Sequence, residues 1–199
     1  MQKFIYISIL WICTHSLSAE KLNWEKVKYE KGVTVYRAEV NKKTAFRGVG
    51  IIQGNPKDLV SVIENPEGWK NWIENFKSGK LIEKVNHNHK IFYQVLNSPF
   101  PLSNRDVLFE SVINQINKNT IRIEMKSVRH PKSPPVHGVR IKIIFTRYLI
   151  EKISNNSMRV TFETLSDPGG SIPDFVINWA SENYPVTLFE GLRKELNSS

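Results

Sequence analysis

Three stretches in the middle of the chain alternate apolar and charged residues with a period of two, a pattern that fits an extended strand and not a helix. In Ile121-Arg122-Ile123-Glu124-Met125-Lys126 the charges take one side and Ile121, Ile123 and Met125 the other. Val139, Ile141, Ile143 and Phe145 form a second such set, and Val160, Phe162 and Thr164 a third. An antiparallel sheet with one wet face and one apolar face satisfies all three. Ile123, Met125, Ile141, Ile143, Phe145, Val160 and Phe162 are therefore expected to share one buried face.

In all, strands are predicted over residues 33–37, 45–53, 80–85, 90–96, 105–113, 120–128, 139–150 and 158–165, punctuated by Asn, Gly, Pro and Ser. Gly48 and Gly50 inside the second read as a bend or bulge of a curved sheet. Residues 23–27 suggest a short turn or helix. Pro56 opens a helix through Leu59 and Ile63. The spacing of Trp69, Trp72, Ile73 and Phe76 puts four large side chains on one helical face, a core pattern. Residues 173–196 form the one long helix, with an apolar stripe at Ile172, Val176, Ala180, Leu188, Leu192 and Leu196, and Pro185 is expected to kink or break it. The fold class is α+β: a curved antiparallel sheet with a long C-terminal helix that fills its concavity or covers a cavity there.

Ahead of this domain lies Lys3, an apolar run from Phe4 to Ile12 and small or polar residues up to Ala19. That is the layout of a secretory signal peptide, too short in its apolar part to span a bilayer, so the expectation is cleavage near Ala19 and a mature domain over residues 20–199, periplasmic or secreted. The single cysteine, Cys13, falls inside the leader, where bulky Trp11-Ile12 argue against a lipidation motif; the mature chain would have neither disulfide nor thiol nucleophile. It would carry 27 basic against 19 acidic residues, a net +8 that favours acidic membrane surfaces. The charges are scattered and no nucleic-acid-binding motif accompanies them, so no nucleic-acid partner is expected.

The motif Asp167-Pro168-Gly169-Gly170-Ser171-Ile172-Pro173, leading through Val176-Ile177-Asn178 to Leu188-Phe189-Glu190-Gly191-Leu192-Arg193, with Pro101-Leu102-Ser103-Asn104-Arg105-Asp106-Val107 upstream, resembles the START family of lipid-transfer domains. The resemblance runs from about Trp24 to Leu196. It implies a helix-grip fold with a tunnel for one lipid between sheet and C-terminal helix, a ligand carried without covalent change, and a lid made of that helix and a neighbouring long loop, here residues 129–138. It also marks a departure: some sterol-binding members have a cavity-facing arginine where this chain has Ser111.

The candidate ligand-binding residues are Tyr93, Val95, Phe109, Ser111, Ile123, Met125, Ile143, Phe145, Phe162, Thr164, Val176, Ala180 and Leu188, with Tyr93, Ser111 and Thr164 as polar groups that orient a ligand. Arg105 and Asp106 are read as a structural pair; as neighbours on a strand they point to opposite faces and hold the preceding Pro-rich turn. His87 and His89 are read as a solvated hairpin turn, and His130 and His137 as loop surface, so no metal site is assigned. There is no Gly-x-Ser-x-Gly elbow and no phosphate-binding glycine loop. The reading is a monomeric, non-catalytic lipid-binding or lipid-transfer protein with no cofactor. The alternative is a cyclase- or aromatase-like enzyme of the same superfamily, which a cavity-facing acid or base of perturbed pKa would favour.

Overall fold

The structure, a computed structural model, describes residues 22–98 and 100–198; the expected export segment lies outside them. In chain order the elements are β1 (Glu25–Glu30), β2 (Val33–Val40), β3 (Lys43–Gln53), α1 (Pro56–Ile63), β4 (Phe76–Lys84), β5 (His89–Leu96), β6 (Arg105–Asn117), β7 (Thr120–Ser127), β8 (Val139–Arg140), β9 (Lys142–Ser154), β10 (Ser157–Asp167) and α2 (Asp174–Ser198). They build one sheet in the order β1-β2-β3-β10-β9-β7-β6-β5-β4, antiparallel throughout, with short β8 pairing in parallel beside β6. The two end strands do not pair with each other, so the sheet is open.

The first two hairpins are tight for a local reason. Lys31-Gly32 and Asn41-Lys42 are two-residue loops with positive φ throughout (48° and 74°, 48° and 62°), the left-handed geometry that matches the twist of the flanking strands. Where residues 23–27 are expected as a turn or helix, Glu25–Glu30 are instead drawn into the sheet as β1, an edge strand paired with β2.

α1 starts where Asn55 Oδ1 accepts from Lys57 N (2.9 Å) and Pro56 takes the first turn, and it buries Pro56, Leu59 and Ile63. The helix expected around Trp69 is reduced to one 3₁₀ turn, Trp69–Asn71, and Phe76 already belongs to β4. Tertiary packing overrides the helical spacing. Trp69 donates its indole N–H to Ile63 O (2.8 Å) and lies against Phe92 and Phe109, with ring centroids 5.3 and 6.1 Å away.

The main core lies between the concave face of the sheet and the two helices, and includes Val33, Ile52, Ile123, Ile150, Met158, Val160, Phe162, Phe189 and Leu192. Gly48 and Gly50 are not bulges, because the β2-β3 and β3-β10 registers run through them without a shift. They let α2 settle onto β3: a Cβ on Gly48 would stand 2.9 Å from Pro185 Cβ, and one on Gly50 2.9 Å from Phe189 Cε1. Gly191 plays the same part on the other flank, where a side chain would run into the Trp72 carbonyl. α2 is continuous across Pro185. Its last turns are tied down by Arg193, which donates to Lys31 O (2.7 Å) and Ile51 O (2.9 Å). The Leu188–Arg193 segment is thus the part of α2 that grips the sheet.

Two smaller apolar clusters sit on the convex face. One joins Ile91, Tyr93, Val95 and Leu108; the other joins Ala38, Ala45 and Leu165 with Trp24 and Phe145.

Candidate functional site: an apolar cavity between sheet and helix

Between the concave face and the N-terminal half of α2 the side chains do not meet, and a cavity of about 380 Å³ remains, within the roughly 300–1,000 Å³ of small-molecule sites. From the sheet it is lined by Phe46, Phe109, Met125, Ile143, Tyr148 and Phe162, and from the helix side by Ile172, Val176, Ala180 and Tyr184. The helical residues recur every four positions, which holds them on one face, while Leu188 and Leu192 continue into solid core. Ile63, Trp69, Trp72 and Ile73 close it from the segment after α1.

Of the expected ligand contacts, Phe109, Met125, Ile143, Phe162, Thr164, Val176 and Ala180 line this cavity. Ser111, Ile123 and Leu188 face the same interior but lie in packed regions beyond it. Ser111 Oγ donates to Glu64 (2.6 Å), whose carboxylate also takes the Lys90 ammonium (2.6 Å), a polar plug between α1 and β6.

Tyr93, Val95 and Phe145 are corrections, since all three lie on the convex face. For Phe145 the cause is a bulge. Leu165 pairs with Phe145 but Ser166 with Ile143, so Ile144 is an extra residue in β9 and the inward parity flips from Ile143 to Thr146, Tyr148 and Ile150. For Tyr93 and Val95 the inward residues of β5 are Phe92, Gln94 and Leu96 instead.

Arg105 and Asp106 do point to opposite faces. Asp106, fully buried, accepts from Arg140 Nε (2.8 Å) and Nη2 (3.0 Å), His137 N (2.6 Å) and Tyr93 Oη (2.9 Å). Burial pushes its pKa up, but the bonds from Arg140, His137 and Tyr93 outweigh that and hold it below the usual value. Asp106 therefore clamps residues 133–140 to the outside of the sheet, where His130 and Lys132 also reach Glu83 (3.2 and 3.3 Å). None of residues 129–138 lines the cavity, so the loop expected as a lid lies against the convex face. Arg105 donates to Ser98 Oγ (3.4 Å) and to Ser103 O, holding the turn before β6, and it lines the cavity.

Phe46, Tyr148, Phe162 and Tyr184 form a cluster with centroids 5.1 to 6.5 Å apart. Burial raises the pKa of Tyr148 well above 10, with Tyr184 adding to it, and pushes Tyr184 up to about 12. Both phenols are therefore protonated at neutral pH and are not bases there. Thr146 and Thr164 bond to each other (2.7 Å). Among the described residues no group of three metal-ligating side chains forms, and no helix is long and apolar enough to cross a membrane.

An open antiparallel sheet gripping a helix over an apolar cavity defines a helix-grip protein with a site for a hydrophobic ligand. The START domain profile matches residues 14–199, and the chain belongs to the START family, whose members bind or transfer lipids. It is 28% identical to the mouse phosphatidylcholine transfer protein over 168 residues, covering 81% of this chain and 78% of that protein. It is 25% identical to the uncharacterized protein PA1579 of Pseudomonas aeruginosa, covering 86% and 85%. Among solved structures it is similar to human STARD10 (TM-score 0.79, 25% identity, covering 88% of this chain and 73% of that one). A STAR-related lipid transfer protein from Xanthomonas axonopodis shares the fold at TM-score 0.76 and 22% identity, covering 87% and 98%.

Proposed function

We propose that this chain takes one lipid from a membrane into the cavity, carries it unchanged and acts as a monomer. The observation that supports this most directly is the unfilled apolar space under Val176, Ala180 and Tyr184, since removing apolar surface from water stabilises a ligand there by about 25 cal/mol per Å². Phe109, Met125, Ile143, Phe162, Thr164, Val176 and Ala180 are the contacts assigned to the ligand. The membrane face would be the mouth: Phe100, Phe175 and Trp179 are 97%, 73% and 59% exposed, on the same segments whose Leu102, Val176 and Trp179 line the cavity. Exposed aromatics suit the interfacial layer, and the net positive charge suits acidic bilayers. Export to the periplasm or exterior follows from the leader-like N-terminus; N-terminal sequencing from the native host should begin near Glu20, and an intact Met1 in the cytoplasm would refute it.

The test is transfer of a fluorescent phospholipid between donor and acceptor vesicles. Transfer should rise in proportion to protein, faster with acidic acceptors, and fall when Phe175 and Trp179 are both changed to Ser. No transfer by folded protein, with no lipid bound, would overturn the proposal.

A further inference from the structure

The sheet is one layer thick, and between β7 and β9 it parts. Their ladder ends at the pair Met125–Thr146, although β7 continues in register with β6 as far as Ser127. The cause is the extra residue Ile144, which carries the start of β9 off the line of β7. Two residues further on the gap closes again: Ser127 Oγ accepts from Ile143 N (2.8 Å), and β8 returns to pair with β6. The result is a window in the sheet, framed by Met125–Thr146 on one side and Ser127–Ile143 on the other.

On the convex side the window opens into a notch of about 290 Å³, whose walls include Glu110, Val112, Glu124, Lys126, Ile144 and Arg147. Met125 and Thr146 border both this notch and the cavity behind it, and among the described residues no other side chain does. The two sides differ in chemistry. Outside, the ion pairs Lys126–Glu110 (3.1 Å) and Arg147–Glu124 (3.6 Å) flank the notch, so hydrocarbon could enter only by stripping water from charged groups. Inside, the hydroxyls of Thr146, Thr164 and Ser166 line the cavity beside the window, and the buried Trp72 indole N–H, also on the wall, has no acceptor in the protein. Polar groups of this kind keep an unloaded cavity wet, and about 380 Å³ corresponds to on the order of ten waters at about 30 Å³ each. A lipid that enters from a docked membrane fills the mouth as it comes, so the water it displaces needs another way out.

We propose that the window between β7 and β9 is a water port: as a lipid enters at the mouth, cavity water leaves between Met125 and Thr146 into the convex notch, and it returns as the lipid departs. The unbranched Met125 side chain swings aside without moving a strand, the Thr146 hydroxyl gives passing water a hydrogen-bonding partner, and the charges outside hold hydrocarbon back. This rests on the carrier reading with its membrane-facing mouth and adds to it the route by which the cavity empties. A port lowers one barrier that loading and release share, so closing it slows both by the same factor and leaves the equilibrium unchanged.

Glu124 and Arg147 are direct cross-strand partners next to the window, both on the convex face and outside the cavity wall, so a disulfide between cysteines at these positions staples β7 to β9. The variant is Glu124→Cys with Arg147→Cys, and Cys13→Ser removes the one other thiol. Stopped-flow fluorescence follows loading of a pyrene-labelled phosphatidylglycerol from vesicles of phosphatidylethanolamine and phosphatidylglycerol, and its release to unlabelled vesicles. The oxidised protein should load and release about tenfold more slowly than the unmodified one, with the same fraction loaded at equilibrium, and a reducing agent should restore both rates. Val112→Phe, which fills the notch from β6, should slow both rates in the same way. Unchanged rates in a folded Val112→Phe protein and in the oxidised staple overturn the port. A fall in equilibrium loading without a common slowing also overturns it, because the notch would then belong to the binding site. If stapling stops uptake altogether while changing Phe175 and Trp179 to Ser has no effect, the lipid itself passes the window and the assignment to water fails. Should the disulfide not close, Val112→Phe decides. No loading by the unmodified protein overturns the carrier reading, which separates the two failures.

Discussion

Changing Asp106 to Ala should be among the most damaging single substitutions outside the main core. The side chain is fully buried and accepts four hydrogen bonds from three residues, at 2.6 to 3.0 Å. Its loss leaves the Arg140 guanidinium, the Tyr93 hydroxyl and the His137 amide without their acceptor under residues 133–140. Removing one partner of a buried ion pair costs about 3–5 kcal/mol, against a total of about 5–15 kcal/mol for a domain. For a chain of this length that is a fall in Tm of roughly 6–20 °C. The acid limb gives an independent reading. Because the folded pKa of Asp106 is lowered, its contribution is present above the unfolded value of about 3.9 and is lost as pH falls through the folded value. Urea unfolding at pH 7 and across the acid range, for the unmodified protein and for Asp106→Ala, measures both effects. A loss under about 1 kcal/mol at pH 7, or equal acid sensitivity of the two proteins, would show that the clamp does not hold the loop.

Three further substitutions probe the cavity and its frame. Ala180→Trp should fill the space beneath α2 and abolish lipid loading, at an overpacking cost of about 1–3 kcal/mol; normal loading by a folded variant would place the ligand elsewhere. Gly50→Ala should lower stability by about 1–3 kcal/mol in urea, since its Cβ meets Phe189 at 2.9 Å and the Gly32 carbonyl at 3.0 Å; a neutral result would mean that α2 shifts freely on the sheet. Ser111→Ala should cost about 1.5–3 kcal/mol by removing a hydrogen bond to the buried Glu64 carboxylate, and should leave lipid loading unchanged because Ser111 lies beyond the cavity wall.

Period-two alternation was sufficient to find the sheet, its inward face and much of the cavity wall, because one residue in two must be apolar where a strand has a wet side. It failed where the backbone departs from ideal pleat. The Ile143-Ile144-Phe145 run is apolar throughout, so nothing in it reveals that Ile144 bulges and hands the inward role to Thr146 and Tyr148. On β5 the residues Ile91, Phe92, Tyr93 and Val95 are apolar on both faces, since Ile82, Leu108 and Val128 pack against its outer side, and the pattern no longer says which face is inner. The helical spacing of Trp69, Trp72, Ile73 and Phe76 was a coincidence of packing. Tyr184 was hidden beside Pro185, a residue that reads as a helix end but is accommodated against Gly48. The glycines at 48 and 50 carried the signal for a close approach of α2, which sequence alone does not distinguish from a bend. Arg105 and Asp106 are neighbours in the sequence, yet the strand turns the arginine to the cavity side and the acid to Arg140, His137 and Tyr93 on the other face.

The account's central claim is that the cavity holds a lipid that the protein does not alter. Native mass spectrometry of protein purified from its own host, followed by release and chemical identification of whatever is bound, tests this directly. The account predicts a one-to-one complex with a membrane lipid, identical after release to the same species in the host membrane, and no such complex for Ala180→Trp. An empty cavity in freshly isolated protein that also takes up no lipid from vesicles, or a bound molecule recovered chemically changed, would contradict it.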